Sequence, residues 1–260
     1  MGVVNVTPDS FSDGGLYQSA RQAITHAMNL IDEGADILDI GGESTRPGSQ
    51  PVSIDEELDR VIPVLEALVN THIPVSIDTS KPEVMRHAIE AGAFMINDVN
   101  ALRSPGALEA VAQNNHVKIC LMHMQGAPRN MQENPQYKNI VSEVKDFLRQ
   151  RIYAAESAGI SQDRLVIDPG FGFGKTLQHN LELLNQLDEF TMLGVPVLAG
   201  LSRKSMLGTI TGNNVHHRIH ESIAAALLAV VKGAKIVRVH DVKASKEALA
   251  VYNAMKHYNL

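Results

Sequence analysis

Asp78, Asn97, Asp168 and Lys204 would together offer a planar polar heterocycle the acceptors and donors that a guanine-like ring requires. A second set, Asn5, Arg46, Arg238 and His240, is rich in cations and suits a phosphate or diphosphate, because guanidinium groups meet such oxygens in pairs and with charge assistance. An isolated arginine would more simply be a surface ion pair worth about 0–1 kcal/mol. What sets these residues apart is their position, since all of them lie at the ends of apolar runs.

The runs themselves are short and β-rich, with helical stretches between them: Val3–Val6, Ile37–Ile40, Val75–Asp78, Met95–Asp98, Ile119–Met122, Leu165–Asp168, Val197–Ala199 and Ile236–Val239. Ser53-Ile-Asp-Glu56 reads as a capping box opening a helix with Leu58, Val61, Ile62, Leu65 and Leu68 on one face. Pro82 and Pro105 stand where first-turn prolines belong, and Gly92 and Gly159 where helices stop. Strands alternating with helices imply a parallel sheet, and eight such units imply an α/β fold of the closed (β/α)8 TIM-barrel type. No linker rich in Pro, Gly or Ser divides the 260 residues, so one domain spanning 1–260 is expected. The run ends carry Asn5, Asp39 with Glu43, Asp78, Asn97 with Asp98, His123, Asp168, the segment Ser202 to Lys204, and Arg238 with His240 and Asp241. In a barrel these converge on the C-terminal rim, where loops can carry chemistry without disturbing the packed interior.

Several familiar patterns fail on inspection. Pro169-Gly-Phe-Gly-Phe-Gly-Lys-Thr176 resembles a phosphate-cradling loop, but that loop needs four residues between its glycines, and Gly170 and Gly174 have three. Pro169, where the first glycine should stand, has no N–H to give. Gly200-Leu-Ser202-Arg-Lys204 begins like a nucleophile elbow, yet its fifth residue is lysine. His216, His217 and His220 have near-helical spacing without an HExxH pattern, and read as a loop and helix start rather than a metal site. His123, between two methionines, fits a satisfied rim residue and a catalytic one equally.

A net charge of −6 argues against a duplex nucleic-acid binder. The single cysteine, Cys120, lies in an apolar run and reads as a buried thiol, which fits a reducing cytoplasm. The apolar run Ser222–Val231 is too short for a transmembrane helix, which takes about 20 residues. The opening residues show neither a basic segment nor a signal core. A cytoplasmic, non-membrane protein is expected.

Six motifs, in order, carry a resemblance across the whole chain: Asn5-Val-Thr-Pro-Asp-Ser-Phe-Ser-Asp-Gly-Gly15, Gly41-Gly-Glu-Ser-Thr-Arg-Pro-Gly48, Asp78-Thr-Ser-Lys-Pro82, Asp168-Pro-Gly-Phe-Gly-Phe-Gly-Lys175, Ser202-Arg-Lys-Ser205 and Arg238-Val-His-Asp241. Together they resemble the dihydropteroate synthase family. The resemblance implies a (β/α)8 barrel of folate synthesis that joins 4-aminobenzoate to (7,8-dihydropterin-6-yl)methyl diphosphate in the presence of Mg2+, releasing diphosphate. It implies pterin contacts from Asp78, Asn97, Met122, Asp168 and Lys204. It places the diphosphate against Asn5, Thr45, Arg46, Arg238 and His240, with Asn5 also near Mg2+. Phe173, Pro47, Lys204 and Ser205 would hold the aminobenzoate. Phe11 and Asp13 resemble residues of a loop that closes over the site, so Asp13, Phe11, Lys204 and Asp78 are the expected catalytic residues. A homodimer is implied as well. Family members usually carry a further segment before the first strand, whereas this sequence opens at Met1.

Two other readings remain. A methyltetrahydrofolate-type methyltransferase shares the pterin contacts, but has no use for the diphosphate set. A pterin-binding paralogue without catalysis would be expected to have lost closing-loop or diphosphate residues, and those matched here are present.

Overall fold

A computed structural model of the chain describes residues 1–6, 16–45 and 48–258. Its strands are β1 (Gly2–Asn5), β2 (Leu38–Gly41), β3 (Val75–Asp78), β4 (Met95–Asp98), β5 (Lys118–Met122), β6 (Leu165–Asp168), β7 (Leu198–Ala199) and β8 (Ile236–Val237). Between and after them lie α1 (Leu16–Asp32), α2 (Ile54–Leu68), α3 (Pro82–Glu90), α4 (Ala107–Ala112), α5 (Ile140–Ser157), α6 (Leu177–Asn185), α7 (Asp188–Thr191), α8 (Ser205–Thr211), α9 (Ile219–Val231) and α10 (Val242–His257).

Strands β1 to β6 form a continuous parallel sheet in chain order, and β7 pairs with β8. Two single bridges close the ring. Ile167 of β6 pairs with Val197, its N–H donating to Pro196 O at 3.0 Å. Gly2 of β1 pairs with Val239, and Val3 N and Val239 N donate to Val239 O and Met1 O at 3.1 and 2.9 Å. The chain is therefore a (β/α)8 barrel, as its alternating pattern implies.

Period-two alternation sorts the strand residues into two environments. Leu38, Ile40, Ile77, Ile96, Ile119, Leu121 and Ile167 face outward into the main core against the helices. Met1, Met95, Cys120, Val166 and Leu198 form a separate apolar plug inside the barrel. Each fully buried aliphatic side chain contributes roughly 1.5–3 kcal/mol. Cys120 is fully buried there, and burial raises its thiol pKa, consistent with an inert sulfur.

Local signals hold with two corrections. Ser53 accepts from Glu56 N at 3.1 Å, but the Glu56 carboxylate pairs with Arg60 one turn on, so only half of the capping box forms. Pro82 opens α3, whereas Pro105 lies in the turn before α4, whose N-cap is Gly106. Gly92 and Gly159 follow the ends of α3 and α5 with φ of +96° and +88°.

Candidate active site

The inward residues nearest the C-terminal ends of the strands are polar, and they bond to one another across the barrel. Arg238 Nε donates to Asp39 Oδ2 at 2.6 Å and its Nη2 to Asp78 Oδ2 at 3.0 Å. Asn97 Nδ2 donates to the same Asp39 oxygen at 3.1 Å. The structure thus joins Asp78 and Asn97 of the heterocycle set, and places Arg238 of the phosphate set beside them. Asp39, at the centre of this network, belongs to neither set. The sequence marks it only as one of the polar run ends that converge on the rim.

Burial dominates the electrostatics. It raises the Asp78 carboxyl pKa to about 8 against the opposing pull of Arg238, with Asp39, Glu57 and Asp98 adding to the rise. Asp168 is raised by burial too, opposed by Lys204 and by the Gly170 N–H that Oδ1 accepts at 2.7 Å. Burial lowers the Lys204 ammonium to about 8, opposed by Asp168. For Arg238 burial disfavours the charge, but Asp39 and Asp78 outweigh it and hold the guanidinium above the ordinary arginine range. An Asp78 carboxyl that keeps its proton beside the Arg238 cation lets one pocket both donate and accept hydrogen bonds.

The loop after β6 accounts for PGFGFGKT. Gly170 has φ +71°, and a Cβ there would lie 1.9 Å from His123 O; at Gly174, with φ +62°, it would lie 2.4 Å from Gln125 O. Only glycine allows the loops after β5 and β6 to approach so closely. Lys175 cradles no phosphate. Buried, it turns back to donate to Gly170 O at 2.8 Å, Phe173 O at 2.9 Å and His123 Nδ1 at 3.0 Å. His123 is accordingly a satisfied, buried residue: burial and Lys175 lower its imidazole pKa to about 2, and it packs edge-on against Phe147 at 4.9 Å. Lys175 escaped the sequence reading because the glycine-lysine pair invited comparison with a phosphate loop.

Lys204 lies 4.6 Å from the centre of the Phe173 ring and donates to Phe171 O. Ser205, exposed, begins α8 directly after it. Met122 packs with Val99, Met124 and Met131, and Phe173 lies against them. Thr45 lines a cleft of about 190 Å³ with Asp78, Thr79, Val99 and Asn100. Asn5 ends β1, half-buried. His240 Nδ1 lies 3.0 Å from Ser202 Oγ, which also accepts from His240 N at 3.2 Å. Arg203 is tied to Asp241 at 2.6 Å. Phe11, Asp13, Arg46 and Pro47 lie outside the described residues. His216 and His217 occupy a short 3-10 turn and His220 the start of α9.

A family model described as pterin binding enzyme matches residues 1–240. The dihydropteroate synthase of Escherichia coli (strain K12) is 50% identical over 255 residues, covering 98% of this chain and 90% of that protein. Among solved structures, Xanthomonas albilineans dihydropteroate synthase with 4-aminobenzoic acid superposes with a TM-score of 0.93 at 56% identity, covering 98% of this chain and 92% of that one. The same enzyme in complex with 7,8-dihydropteroate gives a TM-score of 0.89 at 53% identity, with the same coverage. Together with a barrel whose polar residues meet at one rim, these likenesses establish that the chain belongs to the pterin-binding enzyme family, among the dihydropteroate synthases.

Proposed function

We infer that this protein condenses (7,8-dihydropterin-6-yl)methyl diphosphate with 4-aminobenzoate to give 7,8-dihydropteroate and diphosphate. The observation that carries this reading is the rim network itself, in which Arg238 bonds to Asp78 and, through the shared Asp39 oxygen, is linked to Asn97, beside Asp168 and Lys204. In this reading Asp78, Asn97, Asp168 and Lys204 bind the pterin edge, with Met122 as an apolar wall. Asn5, Thr45, Arg46, Arg238 and His240 receive the diphosphate. Phe173, Pro47, Lys204 and Ser205 hold the aminobenzoate.

The pterin C–O bond breaks first, and the departing diphosphate takes the electron pair. The resulting methylene cation is delocalised into the electron-rich dihydropterin ring, so a weak aniline nucleophile suffices to form the C–N bond and then sheds a proton. The residues need only stabilise the leaving anion, hold the cation near carboxyl groups, exclude water and align the amine. Arg238 commits Nε and Nη2 to the carboxyl groups of Asp39 and Asp78, and the rest of its five N–H donors are not taken up by them. Phe11 and Asp13 are assigned to closure over the bound substrates.

Among the described residues no group of three His, Cys, Asp or Glu side chains forms a metal cage. The Asn5 side-chain oxygen, a hard donor at the rim, fits a Mg2+ that keeps most of its shell from diphosphate oxygens and water. When bound, that ion would neutralise charge on the leaving group. We further assign a single domain, a homodimer and a cytoplasmic location. No helix of the described residues is long and apolar enough to cross a membrane.

The test supplies both substrates and Mg2+ and follows diphosphate and dihydropteroate together. Matched appearance of the two supports the reading. Diphosphate release without coupled product, or no release from folded protein, overturns it.

A further inference from the structure

Beside the rim network lies a three-residue ionic link that the chemistry above does not use. Leaving β2, the chain runs so close to α2 that a Cβ on Gly42 would sit 2.7 Å from Val61 Cγ1. Arg60 Nη1 clamps this passage by donating to Gly42 O at 2.7 Å. The next residue, Glu43, closes the base of a loop, its Oε2 accepting from Val52 N at 3.2 Å. Within the loop Ser49 Oγ donates to Ser44 O at 2.5 Å, and Gly48 N reaches Pro128 O at 3.3 Å. Thr45 stands between these ties.

The same Glu43 oxygen is met by Lys81 Nζ, which also meets Glu57 Oε2 from α2. Glu57 is only 1% exposed, and its Oε1 has no hydrogen-bond partner among the described residues. Burial disfavours the Lys81 charge, but the two carboxylates outweigh burial and hold its pKa above the ordinary lysine range. Without the ammonium, two carboxylates would face each other at the base of the loop, one of them buried. The loop would be pushed away from α2, since an uncompensated buried charge is strongly unfavourable.

We propose that Lys81 is a positioning residue: by tying Glu43 to Glu57 it fixes where the loop bearing Thr45 stands over the rim, and so tunes recognition of the diphosphate half of the substrate. The second clause rests on the diphosphate role assigned to Thr45 above; the first does not.

The experiment measures two quantities on the full chain. Amide hydrogen exchange at Val52 should accelerate about tenfold in Lys81→Met and return toward wild type in Lys81→Arg, which restores a cation between the carboxylates. In the same variants, affinity for the pterin methyl diphosphate should fall about tenfold in Lys81→Met, while affinity for the hydroxymethyl dihydropterin lacking diphosphate stays within about twofold. Unchanged Val52 exchange, or equal loss of both ligands, overturns the proposal. Should Lys81→Met fail to fold, the double variant Lys81→Met/Glu57→Gln removes the stranded buried charge and is read by the same criteria. A wild-type chain that binds no diphosphate ligand would sink the functional reading alone, because Val52 exchange still decides the loop tie.

Discussion

The Arg238 guanidinium, directly after the last strand, reaches Asp39 on the second, with Nε to Oδ2 at 2.6 Å. Asp39 is fully buried and its Oδ1 has no partner among the described residues, so this contact is its main compensation. Arg238→Met should therefore destabilise the fold by about 3–5 kcal/mol, because it strands a buried carboxylate. Urea unfolding checks this, and a loss below about 1 kcal/mol would mean that Asp39 does not depend on this contact.

Asp78 gives stability a defined pH dependence. The folded state holds its proton up to about pH 8, whereas an unfolded aspartate releases it near about 3.9. Between those values the folded chain binds more protons, so stability falls as pH rises. Asp98, raised to about 6 by burial, adds to the decline only in the lower part of that window. Asp78→Asn should flatten the decline between pH 6 and 8, where the slope is at most about 1.4 kcal/mol per pH unit. Urea midpoints taken across that range decide the matter.

Lys204 loses its proton in the same region, although its pKa is shifted in the opposite direction, burial bringing the ammonium down to about 8. As a donor to the pterin it must be charged, so kcat/KM should fall above about pH 8. Asp78 loses its proton there too, which makes the limb steeper than a single ionisation. Replacing Lys204 with Arg keeps a cation at all accessible pH values and should leave one ionisation in the profile. An unaltered slope would remove Lys204 from the titration.

The glycines of the loop after β6 should be unequal to other left-handed glycines. Gly170→Ala drives a methyl into His123 O and should cost more than about 3 kcal/mol. At Gly159, also left-handed but facing open space, the same change should cost about 1–2 kcal/mol. Thermal unfolding of the pair tests the contrast.

Lys175→Met should act on the same loop. It withdraws a donor from Gly170 O, which keeps the Phe173 N–H at 3.1 Å, and from Phe173 O, at about 1–3 kcal/mol for a carbonyl left unsatisfied. Because Phe173 rides on that loop, KM for aminobenzoate should rise more than KM for the pterin. Equal changes in both would show that the lysine supports the fold at large.

Much of this architecture was legible from residue order. The six runs from Val3 to Asp168 became strands within about one residue at each end, because short, nearly continuous apolar runs mark a sheet packed on both faces. The last two came out shorter than their apolar runs. Val197 and Val239 pair through single bridges where the ring closes, so the runs continue but the ladder changes partner. Asp78, Asn97, Asp168 and Lys204 could be grouped because each ends a run and carries a group suited to one kind of ring. That Arg238 would bond to Asp39 could not be read, since alternation says which residues face inward but not which carboxylates share a cation. Lys175 was hidden for a related reason, as a side chain that folds back on its own loop leaves no periodic trace.

The near-contact of Gly170 with His123 O, and of Gly174 with Gln125 O, has an evolutionary consequence. Two neighbouring rim loops meshed backbone to backbone cannot drift independently, for an insertion in either would unseat the other. Met122 and Phe173, which flank this seam, therefore share one fate. Sequence variation that reshapes the pocket has more room in rim loops that are held by side-chain ties, where a replaced residue can be compensated by its partner.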